Sequence, residues 1–382
     1  MEPLVVLGLL ALSLVLLFIL ALLFLKKRKG QTPGLTRFTE NPLLSPVREH
    51  WWESEAVFNP AAIVHDGRVH LFYRALGSDG ISRIGHASSP DGITFDERGG
   101  DPVFAAQTPE QARTHWPYTS PARLVYDPVA YASGGGWGGC EDPRAVKIDD
   151  QVYMTFNMFN GWESMRTAFT SLDGTHLSAR NWLWKPYEYL SRPGDRQKNW
   201  VLFPEKINGK FALFHNVDKG NPSRVHIAYL DDLDMWQTPA GRQAPDPQQL
   251  PNHHVGWHNR TRSAACPPIQ TPDGWLLLYH AMDAHDHSKY KVGAMLLDSK
   301  DPEKVLYRSP EPILEPTHWY ENDWKPGIVY ASGGVVFGDD LIVYYGGGDK
   351  HIAGARANLK DFLRRLKNHE QPELWPVGYN KN

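Results

Sequence analysis

Five times between residues 59 and 345 an extended apolar run meets a two-residue turn and is answered by a second such run. Asn59-Pro60-Ala-Ala-Ile-Val turns at Asp66-Gly67 and returns as Val69-His-Leu-Phe-Tyr73. Pro143-Arg-Ala-Val-Lys-Ile148 turns at Asp149-Asp150 and returns as Val152-Tyr-Met-Thr-Phe156. Phe203-Pro204-Glu-Lys-Ile207 turns at Asn208-Gly209, Pro267-Pro-Ile-Gln270 at Asp273-Gly274, and Gly333-Gly-Val-Val-Phe337 at Gly338-Asp339. Asp-Gly and Asn-Gly between β-rich runs are hairpin signals, because both residues accept the positive φ that tight hairpins demand. A third run follows several hairpins, as in Ile84–Ser89, Thr167–Ser171, Val225–Tyr229 and Tyr290–Leu297. Hairpin starts at Pro60, Pro143, Pro204, Pro268 and Gly334 lie 83, 61, 64 and 66 residues apart. Repeated antiparallel units of this size predict an all-β, five-bladed β-propeller. A two-sheet sandwich is the runner-up and fits five similar units poorly. One helix is expected after the last unit, over Leu359 to Lys367.

In a propeller the first strand of each unit lines the central channel. The hairpin starts then converge on one mouth. That expectation gathers Asn59, Glu141-Asp142, Glu205-Lys206, the turn before Pro267 and Ser332-Gly333-Gly334 around one polar pocket. Its centre is Gly139-Cys140-Glu141-Asp142-Pro143-Arg144, two adjacent carboxylates with an arginine after a glycine-rich run. Cleaving a glycosidic bond needs a carboxylic acid close to groups that orient the sugar. The alternative for this tetrapeptide is a solvated, salt-bridged loop.

Composition narrows the partners. The net charge is −3 and no basic tail follows residue 30, which argues against nucleic acid. The 14 Trp and 16 Tyr suit the apolar faces of sugar rings, although most belong to strands and core. Trp182, Trp184 and Trp200 are read as core or rim. Cys140 and Cys266 offer neither zinc spacing nor a disulfide framework. His253, His254, His258, His285 and His287 show no defensible ligand pattern, so no metal is expected.

Pro3 to Leu25 is an uncharged apolar run of 23 residues, followed at once by Lys26-Lys27-Arg28-Lys29. About 20 apolar residues cross a bilayer as a helix. A cleaved signal peptide competes, but Glu2 precedes the run and no small-residue cleavage site follows it. The reading is a transmembrane anchor with its basic flank over 1–29. The positive flank places the remainder on the cytoplasmic side, a single-pass membrane protein. Residues 30–54 are read as linker and lead-in, and 55–382 as the catalytic propeller. Asn259-Arg-Thr261 has the pattern of a glycosylation acceptor, which a cytoplasmic domain does not use.

Several motifs in order carry a resemblance. Tyr73-Arg74-Ala75, Gly139-Cys-Glu-Asp-Pro-Arg144, Leu202-Phe-Pro-Glu-Lys206, Gly274-Trp-Leu-Leu-Leu-Tyr-His280 and Tyr344-Tyr-Gly-Gly-Gly-Asp349 resemble glycoside hydrolase family 130, the five-bladed β-mannoside phosphorylases and mannosidases. The likeness spans roughly residues 55 to 360. It implies that Asp142 is the proton donor, acting through a sugar hydroxyl, and that Arg74, Lys206 and Asp349 surround the mannose being transferred. Asn59, Glu141, Arg144 and Glu205 are further substrate-binding candidates. It also implies that Lys198, Asn199, His280 and Tyr290 hold phosphate. His215-Asn216 departs from the His-Arg of the pattern.

The chemistry of the residues agrees with these roles. An inverting hydrolase needs a second carboxylate to activate water. A phosphorylase replaces base and water with phosphate, and needs cationic and hydrogen-bond donors instead. The expectation is inverting phosphorolysis of a β-mannoside to mannose-1-phosphate, with inorganic phosphate as co-substrate and no other cofactor. Hydrolysis with Glu205, Glu321 or Asp323 as base, mannosyl transfer, and non-catalytic glycan binding remain as alternatives. The oligomeric state is left open.

Overall fold

A computed structural model describes residues 34–105, 136, 138–159, 165–191, 198–217, 224–233, 248–249, 257, 260–283 and 286–368. The hairpins read from the sequence form five antiparallel units of four strand positions each. Unit one is Ala56–His65, Arg68–Leu76, Ile81–Ser89 and Glu97–Arg98. Unit two is Gly138–Ile148, Gln151–Phe159, Arg166–Asp173 and Glu188–Tyr189. Unit three is Val201–Leu202, Phe211–Val217, Arg224–Leu230 and Gln248–Gln249. In unit four, Arg260–Ala264 and Ile269–Thr271 share the edge of Gly274–Asp283, followed by Asp286–Leu297 and Val305–Arg308. Unit five is Val329–Phe337, Asp340–Gly347 and His351–Asn358. Its fourth strand is Thr36–Arg37, with Thr36 opposite Arg356. The stretch 30–54 therefore contributes a strand that closes the last unit, and not only a lead-in.

Five apolar interfaces turn these units into a ring. Ala61, Ile63 and Phe72 of unit one pack with Cys140, Met154 and Phe156 of unit two. Val146 and Phe169 of unit two meet Leu202 and Leu213 of unit three. Phe203 and Phe214 meet Trp275 and Leu277 of unit four. Leu276 and Leu278 meet Val329 and Val343 of unit five. Val335 and Tyr344 then return to Leu71 and Tyr73 of unit one. Each sheet is apolar on both faces because each is sandwiched between two others. This is why buried residues run almost uninterrupted along Ala56–His65 and Gly138–Ile148. The architecture is that of a five-bladed propeller, and the units are its blades.

The helix Leu359–Lys367 forms as expected. Asn358 accepts from Asp361 N at its start, and Phe362, Leu363 and Leu366 bury their side chains against blades four and five. A one-turn helix, Gly174–Ser178, was not anticipated. Asp173 caps it by accepting from Thr175 N. Blade three also differs from its expected hairpin. Its inner strand is only Val201–Leu202, and Pro204, Glu205 and Lys206 fall outside any strand. Proline removes a ladder donor, and the backbone loses register before Ile207 pairs with Lys210.

One expectation is corrected. Among the described residues no helix is long and apolar enough to cross a membrane. The architecture carried forward is the all-β fold without the N-terminal transmembrane helix, and the single-pass membrane localisation and membrane partner are withdrawn with it. The run Pro3–Leu25 lies outside the described residues, as do Asn259, His253, His254, His258 and His285.

The ring has two ends. At the downstream ends of the inner strands, Ile63, Val146, Pro204, Pro267 and Val335 line one cavity of about 250 Å³, one residue from each blade. Asn59, Asp142 and Ser332 stand upstream of that cavity on strands Ala56–His65, Gly138–Ile148 and Val329–Phe337. They belong to the opposite mouth.

Candidate active site

Four inner strands slip by one residue against their neighbours at the same level. The slips fall between Phe58 and Ala61, Glu141 and Arg144, Thr261 and Ser263, and Ala331 and Gly333. The residues inside them are Asn59-Pro60, Asp142-Pro143, Arg262 and Ser332. A bulge kinks a strand and re-aims a side chain that the pleat would otherwise fix. Here bulges in blades one, two, four and five serve one mouth. Asn59 and Asp142 hold φ of 49° and 50°. Asn and Asp accept this left-handed region better than other side-chain-bearing residues, at a cost of about 1–3 kcal/mol each.

Asp142 is only 7% exposed. Asn59 Nδ2 donates to its Oδ1 at 2.7 Å, and Arg74 approaches the same oxygen at 3.3 Å. Among the described residues both side-chain contacts fall on Oδ1. Arg74 also donates to Glu141 Oε1 at 3.0 Å and to Ser82 Oγ at 2.9 Å, and its guanidinium lies over the Phe58 ring. Burial disfavours the Arg74 charge, but Glu141, Asp142 and Asp349 raise its pKa above the ordinary value. Burial likewise pushes Asp142 up. Arg74, Asn59 and Lys198 outweigh it, so the carboxyl is held below its ordinary range. In the free protein Asp142 is a carboxylate.

Gly139 explains how blades one and two come so close. It pairs with Ser82 across the blade boundary at φ 97°, and a Cβ there would lie 2.1 Å from Ser82 O. Ser82 is the residue that steadies Arg74.

Across the mouth the residues are mostly neutral donors. Asn199, at φ 61°, gives its backbone N–H to Asn157 Oδ1 at 2.8 Å, and Asn157 Nδ2 reaches back to its side chain at 3.3 Å. His280 Nδ1 lies 3.0 Å from Ser263 Oγ, its ring stacks on Tyr330 at 4.3 Å, and its buried Nε2 has no geometric side-chain partner among the described residues. Burial and then Arg144 lower the His280 pKa to about 3, so the ring is neutral. The Ala331 backbone also acts on the ring by a hydrogen bond, which opposes the lowering without outweighing it. Arg262 Nε donates to Tyr290 OH at 3.2 Å. Lys198 is close enough to act on Asp142.

Two candidates have structural rather than open positions. Arg144 donates to the carbonyls of Asp142, Pro143 and Ala265 and to Tyr330 OH, at 2.5–3.2 Å. It ties the bulge of blade two to blades four and five. Asp349, at φ 53° and 6% exposed, pairs with Lys325 at 3.2 Å.

The structure does not bring Glu205 and Lys206 to this mouth. Both are exposed beside Pro204 at the other end of the channel, Glu205 against Gln270 and Lys206 over the Phe211 ring. They lie downstream of the inner strand Val201–Leu202, just before the turn at Asn208-Gly209. Cys266, in the turn before Pro267, is buried between blades four and five. Glu321 is fully buried and receives Arg37, Tyr345 OH and the backbone N–H groups of Thr317 and His318. Asp323 is paired with Lys350 and His351. Sequence reasoning passed over Arg262, Asn157, Ser263, Tyr330 and Lys325. Only the bulge, which sequence does not mark in blade four, singles out Arg262.

Comparison with known proteins follows this geometry. Residues 26–368 match the model of a family described as beta-1,4-mannooligosaccharide phosphorylase, glycoside hydrolase family 130. A 1,2-beta-oligomannan phosphorylase of Thermoanaerobacter sp. is 36% identical, covering 86% of this chain and 98% of its own. A beta-1,2-mannobiose phosphorylase of the same organism is 37% identical, covering 84% and 96%. The solved beta-1,2-mannobiose phosphorylase of Listeria innocua, in complex with beta-1,2-mannobiose, superposes with a TM-score of 0.64 at 24% identity, covering 87% of this chain and 99% of that one.

Proposed function

The chain belongs to glycoside hydrolase family 130, and we propose that it catalyses inverting phosphorolysis of β-mannosides, with β-1,2-linked mannooligosaccharides as the first substrates to test. The linkage follows the two relatives at 36% and 37% identity, both named for β-1,2 substrates. One observation supports phosphorolysis over hydrolysis most directly. The site opposes Asp142, with Glu141 and Asp349 held on Arg74, to a wall of donors, while the three carboxylates considered as a base are committed elsewhere. Glu205 faces the other end of the channel, Glu321 is saturated, and Asp323 is ion-paired.

In the proposed reaction a phosphate oxygen, held by Lys198, Asn199, His280, Tyr290 and Arg262, attacks the anomeric carbon of the terminal mannose. The C–O bond to the leaving sugar breaks as the new C–O bond forms. The leaving oxygen gains a proton that originates on Asp142 and passes through a sugar hydroxyl. The products are α-mannose 1-phosphate and a mannoside shortened by one unit. A carboxyl held low is a poor acid, so its pKa must rise in the complex. A phosphate dianion opposing Lys198 and a sugar displacing water both act in that direction. In reverse, the ionised Asp142 is already the base that the acceptor requires.

The test is incubation of the full chain with β-1,2-mannobiose with and without phosphate. Phosphate-dependent mannose 1-phosphate is the expected product. Free mannose at equal rates in both conditions would overturn the reading in favour of hydrolysis.

A further inference from the structure

We propose that a cavity between blades two and three, away from the catalytic mouth, is a second, non-catalytic binding site for one sugar unit of a mannoside. The cavity measures about 280 Å³. Ligand pockets commonly run from about 300 to 1,000 Å³, so this space suits one ring and not a folded chain. Sheet register fixes its level in the fold. Tyr153 and Ser171 line it and pair with each other, and Tyr153 also pairs with Val146. Val146 belongs to the cavity at the end of the channel opposite Asp142. None of the lining residues stands at the catalytic mouth.

Two aromatic side chains from different blades supply its apolar surface. Tyr153 of blade two and Phe211 of blade three meet edge to face with ring centroids 6.0 Å apart, and both are half-buried. A sugar ring presents C–H groups on its face and hydroxyls around its edge. It therefore fits aromatic surface bordered by polar groups. Here the border is of mixed sign, with Lys185, Glu188 and Asp232 on the same cavity. Among the described residues the Lys185 ammonium and the Glu188 carboxylate make no hydrogen bond or ion pair, with each other or with a third side chain. An ammonium only donates and a carboxylate only accepts, whereas a hydroxyl does both. Neighbouring sugar hydroxyls answer the two groups together without adding charge.

The signs argue against other ligands. An anion would meet Glu188 and Asp232. An organic cation is drawn to aromatic rings, but Lys185 borders the cavity and Lys206 Nζ already sits over the Phe211 ring at 4.4 Å. A neutral polyol is what the lining accepts. That the sugar is mannose rests on the phosphorolysis reading, while the cavity itself does not. The border is also fastened. Lys185 N donates to Ser171 O at 2.9 Å, Thr170 Oγ1 donates to Lys185 O at 2.6 Å, and Glu188 pairs with Phe169 in the sheet. Little backbone ordering then remains to be done on binding.

The experiment is equilibrium dialysis of the full chain against β-1,2-mannotriose without phosphate, counting bound equivalents per chain. Two are expected, one at the mouth and one in this cavity. Tyr153→Ala should weaken one equivalent by roughly tenfold or more, a loss of about 1.4 kcal/mol. Lys185→Met, a change at an exposed side chain, should weaken the same equivalent and decides the matter if Tyr153→Ala does not fold. Turnover of β-1,2-mannobiose with phosphate should stay within about twofold in both variants, the scatter expected for a surface change. Binding unaltered in both variants would overturn the proposal. Displacement of that equivalent by tetramethylammonium at equal concentration would overturn it too, by giving the cavity to cations. If phosphorolysis is what fails, no mannose 1-phosphate forms in any sample, yet an equivalent that depends on Tyr153 and Lys185 is still counted.

Discussion

Blades one and two carry the same local structure with different chemistry. Each inner strand slips one residue, each places a short polar side chain at a φ near 50°, and each follows it with proline. In blade one the side chain is Asn59, and in blade two it is Asp142. The two meet at 2.7 Å, the amide donating to the carboxylate. The fold builds the same bulge with a following proline in both blades, and a single amide-for-carboxylate difference separates the two copies. Arg74 joins the two blades and fixes which state the carboxylate rests in.

Removing that difference has the largest expected effect. Asp142→Asn makes blade two resemble blade one, and asparagine accepts the same left-handed backbone. Turnover should fall by about 10²–10⁴-fold, the range for loss of a general acid or base, with the melting temperature little changed. Near-normal turnover would remove Asp142 from its role. Arg74→Met breaks the bridge and leaves Glu141 and Asp142 buried without their cation. Denaturant unfolding should show a loss of about 3–5 kcal/mol, as for breaking a buried ion pair.

The reverse change sharpens the comparison through pH. Asn59→Asp sets two carboxylates side by side, and one pKa must rise. In the natural protein Asp142 is held low, so synthesis from mannose 1-phosphate, which needs the ionised form, should persist as pH falls to the ordinary carboxylate range. With Asn59→Asp its acid limb should move to higher pH. An unmoved limb would mean that Asp142 is not the titrating group. The smallest effect belongs to the prolines. Pro60→Ala and Pro143→Ala should each change stability by about 0.4–1 kcal/mol, acting mostly on the unfolded chain. A larger loss of turnover from Pro143→Ala than from Pro60→Ala would show that only one bulge must be held rigidly.

Much of this molecule was legible in one dimension. Turn pairs such as Asp66-Gly67 and Asn208-Gly209 act within a few residues, so the hairpins and their repeat could be read directly. The helix Leu359–Lys367 announced itself by the spacing of Phe362, Leu363 and Leu366. Asn59, Arg74, Glu141, Asp142 and Asp349 were named from position and resemblance, and the structure gathers them. Blade three misled, because Glu205 and Lys206 occupy the expected place in the repeat but not in the ring. They lie downstream of the inner strand Val201–Leu202, whose place is set by pairing with Phe211–Val217, which no local pattern encodes. Arg262 and Lys325 were passed over for the same reason: each matters through partners far away along the chain.

The sequence by itself determined five strand-rich units, their turns, and an acid motif at the start of the second, because hydrophobic period and turn chemistry are local properties. The tertiary structure alone decided which end of the ring each polar residue serves. That choice depends on closure of the ring by Thr36–Arg37, on the approach that Gly139 permits, and on one-residue slips that turn a side chain from a blade interface into the mouth. A slip of one residue reverses the face of everything it aims, and only the packed neighbours select it.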